Sequence, residues 1–143
     1  MPGAIDAIIS IRPEFAHAIL AGIKTVELRR RLPTVAAGTR LWIYATRPTA
    51  AIVGFVTIKH VNKSRPAAIW RAYRSKTGVD HAAFKAYFNG ADRGVAIELG
   101  NARRAGPISL AQLRCIRARF HPPQVLMHLT AEETRELRNL EVS

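Results

Sequence analysis

Only Arg47–Ala50 separate two runs with strand character, Leu41–Thr46 (LWIYAT) and Ala51–Val61. Their aromatic and β-branched residues suit a pleated, half-buried surface. A parallel pair of strands needs a crossover of about a dozen residues, so these runs can pair only as antiparallel neighbours. Gly54 inside the second run marks a bulge. Three further runs read as strands: Ala4–Ile11, rich in Ile; Lys24–Arg31, alternating; and Gly94–Leu99 (GVAIEL). Helices are interleaved, yet most gaps between strands are too short for βαβ units. The pattern predicts an α+β fold, a mostly antiparallel sheet curled into a small barrel with peripheral helices.

The helices announce themselves by their ends. Pro13 opens a helix over Glu14–Ala21, because a proline at the first turn gives up only an N–H that has no partner there. Phe15, Ala18 and Ile19 form its apolar stripe, and Gly22 stands where a left-handed cap is needed. Ser64 is a candidate cap for a helix through Ala67, Ile69, Trp70 and Tyr73. Asp80 is one for a helix carrying Phe84, Tyr87 and Phe88, stopped by Asn89–Gly90. Ser109-x-x-Gln112 and Thr130-x-x-Glu133 are capping boxes, and Pro122–Pro123 break the chain between them. The 143 residues, 48% of them apolar, support a single domain over 1–143 with its core at about 5–125. A C-terminal helix at about 130–141 packs on the barrel or meets a protein partner.

Charge narrows the partner. Lys and Arg total 22 against 10 Asp and Glu, a net charge of +12. No acid occurs from Leu28 to Val79, a stretch that carries Arg29, Arg30, Arg31, Arg40, Arg47, Lys59, Lys63, Arg65, Arg71, Arg74 and Lys76. Such an excess attracts polyanions, nucleic acid first. The last helix is acidic, the wrong sign for anionic lipid. No apolar run approaches the roughly 20 residues of a membrane span, and Met1–Ile11 lacks the basic start and cleavage site of a signal peptide. The single Cys115 allows no internal disulfide and fits the reducing cytoplasm, as a small buried hydrophobe. The histidines at 17, 60, 81, 121 and 128 have no ligand spacing, and neither phosphate-loop nor dinucleotide glycine motifs occur, so no metal or cofactor is expected. His17 reads as a surface residue of the first helix.

The densest polar group is Gly22-Ile23-Lys24-Thr25-Val26-Glu27-Leu28-Arg29-Arg30-Arg31. On a strand, Glu27 and Arg29 lie two apart and point the same way, while Val26 and Leu28 share the other face. Glu27 can orient the guanidinium or accept hydrogen bonds from a base edge, and Lys24 can reach the same surface. The plainer alternative is a charged strand edge that resists aggregation. Trp42, Tyr44 and Thr46 share a face of their strand, followed by Arg47. Trp42 reads as core, whereas Tyr44 can stack on a base.

Gly22-x-Lys24-x-x-Glu27-x-Arg29 resembles the G-x-K-x-x-E-x-R signature of the ASCH domain, in the PUA-like superfamily. The lead-in Ile9-Ser10-Ile11-Arg12-Pro13, the Leu41–Thr46 strand, Val53-Gly54-Phe55 and Ala96-Ile97-Glu98-Leu99 are similar to the family's elements in order. The resemblance implies a PUA-like pseudobarrel of five or six strands, with a cleft beside the first helix lined by the signature. It implies a nucleic-acid-binding module, for RNA in preference to DNA. Cleft residues would be Ser10, Arg12, Lys24, Glu27, Arg29, Tyr44, Thr46 and Arg47. Phosphates would meet Arg30, Arg31, Lys59, Lys63, Arg65, Arg71, Arg74 and Lys76.

An enzyme is the second reading. Some ASCH relatives are metal-independent ribonucleases, and Lys24, Glu27 and Tyr44 would then carry the chemistry. Others are amidohydrolases of an acetylated cytidine, with a nucleophilic Thr three positions after the Lys. Here Glu27 holds that position, and a carboxylate does not replace a hydroxyl nucleophile in that reaction.

Overall fold

The computed structural model describes residues 4–142, so the part of the N-terminal reading that falls on Met1–Gly3 lies outside the described residues. Among these residues six strands form one sheet: β1 (Ala7–Ile11), β2 (Val26–Arg29), β3 (Arg40–Ala45), β4 (Ala51–Ser64), β5 (Gly94–Ser109) and β6 (Leu126–His128). Their order is β2-β5-β4-β3-β1-β6. Only β1 and β3 run parallel, with Ser10 beside Tyr44; the other pairings are antiparallel. The sheet curls into a half-barrel. The expected turn joins β3 to β4, and the register shifts beside Gly54.

Among the described residues five helices surround the sheet: α1 (Pro13–Leu20), α2 (Pro66–Tyr73), α3 (His81–Tyr87), α4 (Leu110–Ile116) and α5 (Ala131–Val142). Pro13 is the first residue of α1, and Gly22 just beyond it has φ +79°. The Asp80 carboxylate caps α3, and both capping boxes are formed. Ser64 is not the cap of α2. Arg65 holds that position and Pro66 opens the helix, while the Ser64 hydroxyl donates to Asn62.

Strand alternation sends side chains to both faces, and both are covered. Ile9, Ile11, Leu41 and Ile43 pack with Ile19 and Leu20 of α1 inside the curl. Ile8, Trp42, Tyr44 and Ile52 pack on the other face with Leu113 of α4 and Leu137 of α5. Val26, Leu28 and Ala96 meet Ile69 and Tyr73 of α2 and Phe84 of α3. Each fully buried large aliphatic or aromatic side chain contributes about 1.5–3 kcal/mol of transfer free energy, so these clusters set the curl.

The N- and C-terminal elements are fastened by a buried carboxylate. Asp6 is 1% exposed. It accepts from Trp42 Nε1 at 2.9 Å and from Arg138 of α5 at 2.9 and 2.6 Å. Its backbone N–H donates to the Thr134 hydroxyl. Trp42 is thus core, as its sequence context suggests. Cys115 is exposed on α4, contrary to the expectation of a buried hydrophobe, because α4 is a short helix with Leu113 turned inward.

Candidate functional site

The signature folds into the mouth of the half-barrel. The turn after α1 brings Lys24 inward, and the pleat of β2 turns Glu27 and Arg29 to the same side. Lys24 is 2% exposed, and its Nζ lies 3.3 Å from Glu27 Oε1 while donating to the Thr77 carbonyl. Glu27 Oε2 accepts two bonds from Arg29, from Nε at 3.1 Å and Nη2 at 2.7 Å. Such forked, charge-assisted bonds orient as well as attract. Burial lowers the Lys24 pKa from its ordinary value of 10.5, although Glu27 pulls the other way.

Arg29 also spans the open side of the curl. Its Nη2 donates to the Ser10 carbonyl on β1 at 2.8 Å, and Nη1 reaches the Gln124 carbonyl. The edge strand β2 is thereby tied to the opposite end of the sheet by a side chain. Above this ionic floor lies a cleft of about 570 Å³. That size suits a nucleotide-scale ligand. Ser10, Arg12, Lys24, Glu27, Arg29 and Thr46 all line it. Ser10 Oγ is buried with no hydrogen-bond partner, a condition native proteins rarely leave unexplained.

Sequence reading missed the apolar walls. Phe15 of α1, Val79, Phe84 and Tyr87 around α3, and the Pro122–Gln124 segment complete the cleft. The aromatic signal was present, but which helix faces which wall is a tertiary fact. Tyr87 is 41% exposed, and its hydroxyl donates to the Leu28 carbonyl at 3.3 Å. Burial raises its pKa against the nearby Arg29 charge.

Two expected cleft residues lie elsewhere. Tyr44 is 3% exposed on the opposite face of the sheet, its ring 6.4 Å from that of Phe120. Alternation along β3 gives the cleft side to its neighbours. Burial raises the Tyr44 pKa, opposed by the charges of Arg47 and Arg114. Arg47 is exposed in the turn after β3 and does not line the cleft. The eight expected phosphate-binding cations are all exposed. Arg65, Arg71 and Arg74 line a groove along α2, and Arg30, Arg31 and Lys63 line a shallow pocket near the end of β4. Lys59 and Lys76 line neither. Among the described residues no three His, Cys, Asp or Glu side chains converge as metal ligands, and no helix is long and apolar enough to cross a membrane.

A curled, mostly antiparallel sheet whose open side holds an ionic, nucleotide-sized cleft beside a short first helix defines a PUA-like half-barrel protein. Residues 9–107 match the ASCH domain, and the chain belongs to that family. It is 40% identical over 140 residues to an ASCH domain-containing ribonuclease of Zymomonas mobilis subsp. mobilis, covering 98% of this chain and 95% of that one. The crystal structure of ASCH from Zymomonas mobilis superposes with a TM-score of 0.92 at 41% identity, over 94% of each chain. The human THYN1 protein, solved with DNA containing 5-methylcytosine, shares the fold at 13% identity, with a TM-score of 0.57 over 98% of this chain and 99% of that one.

Proposed function

We propose that this protein is a single ASCH module of the cytoplasm that binds RNA, holding one nucleotide or base in the cleft above Lys24, Glu27 and Arg29. The observation that carries this reading is the buried Lys24–Glu27–Arg29 array at the base of a cleft with apolar walls. Glu27 accepts hydrogen bonds from a base edge, and Lys24 and Arg29 supply fixed positive charge. Phe15 and Tyr87 offer faces for stacking. A net charge of +12 supports a polyanion, and it draws the backbone in without sequence preference. The THYN1 neighbour, solved with DNA, shares only the fold, and its complex supports a nucleic-acid reading.

The test is fluorescence anisotropy of labelled single-stranded RNA with a salt titration. Affinity falls steeply with salt, and Glu27→Ala changes base preference. Absence of binding at low salt would remove the reading.

A second reading is RNA cleavage in the same cleft, favoured by the 40% identity to a protein named a ribonuclease. In transesterification the 2′-oxygen attacks the adjacent phosphorus and the 5′-oxygen leaves. Glu27 would take the 2′-hydroxyl proton, Lys24 would give a proton to the departing 5′-oxygen, and Arg29 would hold the phosphate. Tyr44, on the far side of β3, has no part in this arrangement. Labelled RNA incubated with a chelator decides the matter: cleavage that vanishes in both Lys24→Met and Glu27→Gln supports it, and intact RNA removes it.

A further inference from the structure

On the far side of α3 from the cleft lies a second, larger depression of about 1050 Å³, running between α2 and α3. Arg65, Arg71, Arg74, Lys85 and Arg93 line it, with Asp92 the one acid among its lining residues. The ion pairs among the described residues are those of Glu27 with Lys24 and Arg29, Arg117 with Glu133, and Arg138 with Asp6. None of the five groove cations takes part, and all five are exposed.

The groove also has an aromatic floor. The half-buried Trp70 indole stacks on the exposed His81 ring, with centroids 4.7 Å apart and planes 15° from parallel. Phe84 supports the indole from the side at 5.0 Å. A flat π-surface set among unneutralised guanidinium groups matches single-stranded nucleic acid, whose bases stack and whose phosphates need cations. It does not match an apolar ligand, and duplex would hide its base faces. Phe84 lines both the cleft and this groove, so one helix separates them. Arg93 continues the positive lining into the shallow pocket of Arg30, Arg31 and Lys63.

We propose that the α2–α3 groove is a second base-stacking subsite for single-stranded nucleic acid, in which a base extends the Trp70–His81 stack while a neighbouring nucleotide occupies the Lys24–Glu27 cleft. The inference rests on the proposed nucleic-acid binding and adds a second contact point. The protein then reads a short strand laid across α3 and not a lone nucleotide.

The test uses the full chain with a labelled eight-nucleotide RNA and, separately, a nucleoside monophosphate. His81 is exposed and is replaced without loss of core, so His81→Ala accompanies Trp70→Leu, each checked by circular dichroism. The expected result is an affinity loss for the octamer of roughly 5- to 150-fold with Trp70→Leu and a smaller loss with His81→Ala. Monophosphate binding stays unchanged in both. The octamer quenches Trp70 emission, while Trp42, 0% exposed, stays silent. Arg71→Gln with Arg74→Gln lowers the salt slope by about 1.4. Octamer affinity unchanged in folded His81→Ala and Trp70→Leu, or no quenching, overturns the proposal. So does an acidic peptide that binds at the same salt and competes equally in all variants. Failure of the cleft reading looks different: monophosphate binding is absent while octamer quenching persists.

Discussion

Replacing Lys24 by methionine separates the cost of burying a charge from its use. The ammonium is 2% exposed, and its lowered pKa means that lost hydration outweighs what Glu27 returns. Swapping a buried ion pair for apolar side chains is neutral or stabilising by about 1–4 kcal/mol, and Glu27 keeps both Arg29 bonds once Lys24 is gone, so up to that amount is recovered. Against that stands the Thr77 carbonyl, which loses its donor at a cost of about 1–3 kcal/mol. The two offset, so Lys24→Met is expected within about 3 kcal/mol of the parent. Glu27→Leu behaves in the opposite way. It strips the carboxylate from Lys24 and from both Arg29 bonds, leaving a buried cation with one carbonyl, and costs about 3–5 kcal/mol. Urea denaturation at neutral pH, with equal slopes, reads this difference as a higher midpoint for Lys24→Met than for Glu27→Leu. RNA affinity falls in both. The sign with pH follows from linkage. The folded state binds fewer protons at Lys24 than the unfolded chain, so parental stability rises relative to Lys24→Met as pH climbs from the lowered value toward 10.5. A Lys24→Met midpoint at or below that of Glu27→Leu would refute the reasoning.

Three other perturbations follow from the packing. The Glu133 carboxyl is held at about 2, below its ordinary 4.5, first by the Arg117 hydrogen bonds. Its stabilisation is therefore full above pH 4.5 and is lost as pH falls toward about 2. Arg117 is a third exposed, so Glu133→Gln should cost only about 1–2 kcal/mol at neutral pH and nothing near pH 2, read by thermal melts. A methyl group at Gly54 would meet Leu20 Cδ2 at 2.6 Å and crowd the Arg103 carbonyl, so Gly54→Ala should lower the urea midpoint by the equivalent of about 1–3 kcal/mol. Arg138→Met leaves the Asp6 carboxylate with Trp42 Nε1 and should cost about 1.5–3 kcal/mol, part of which Asp6→Asn in the same chain restores, as a double-mutant cycle measures.

Local chemistry was legible where it is decided locally. The i, i+2 spacing of Glu27 and Arg29, the left-handed Gly22, the Asp80 cap and the two capping boxes depend on neighbours a few residues away. The turn between β3 and β4 was legible because its length forbids a crossover. Tyr44 was misplaced because alternation tells which residues share a face but not which face meets α1 and which meets α4 and α5. The extent of β5 was cut at Leu99, since Gly100–Ala105 shows no apolar alternation; pairing to β4 carries the strand on to Ser109. β6 and the Pro122–Gln124 wall belong to a segment without period, held by its partners. The basic surface was legible as charge, but its division into a groove with an aromatic floor and a separate pocket required α2, α3 and the strand ends to be placed.

The carboxylate of Asp6 sets an order on biosynthesis. Its partners in α5 lie 128 and 132 residues further along the chain. At about 5–20 residues per second, the ribosome leaves this buried acid without its cation for on the order of ten seconds. β1, which follows it directly, also waits for β6 at Leu126–His128 to cover its outer edge. The sheet can gather β3, β4 and β5 early, but β1, made before them, is sealed after them, by β6 and α5.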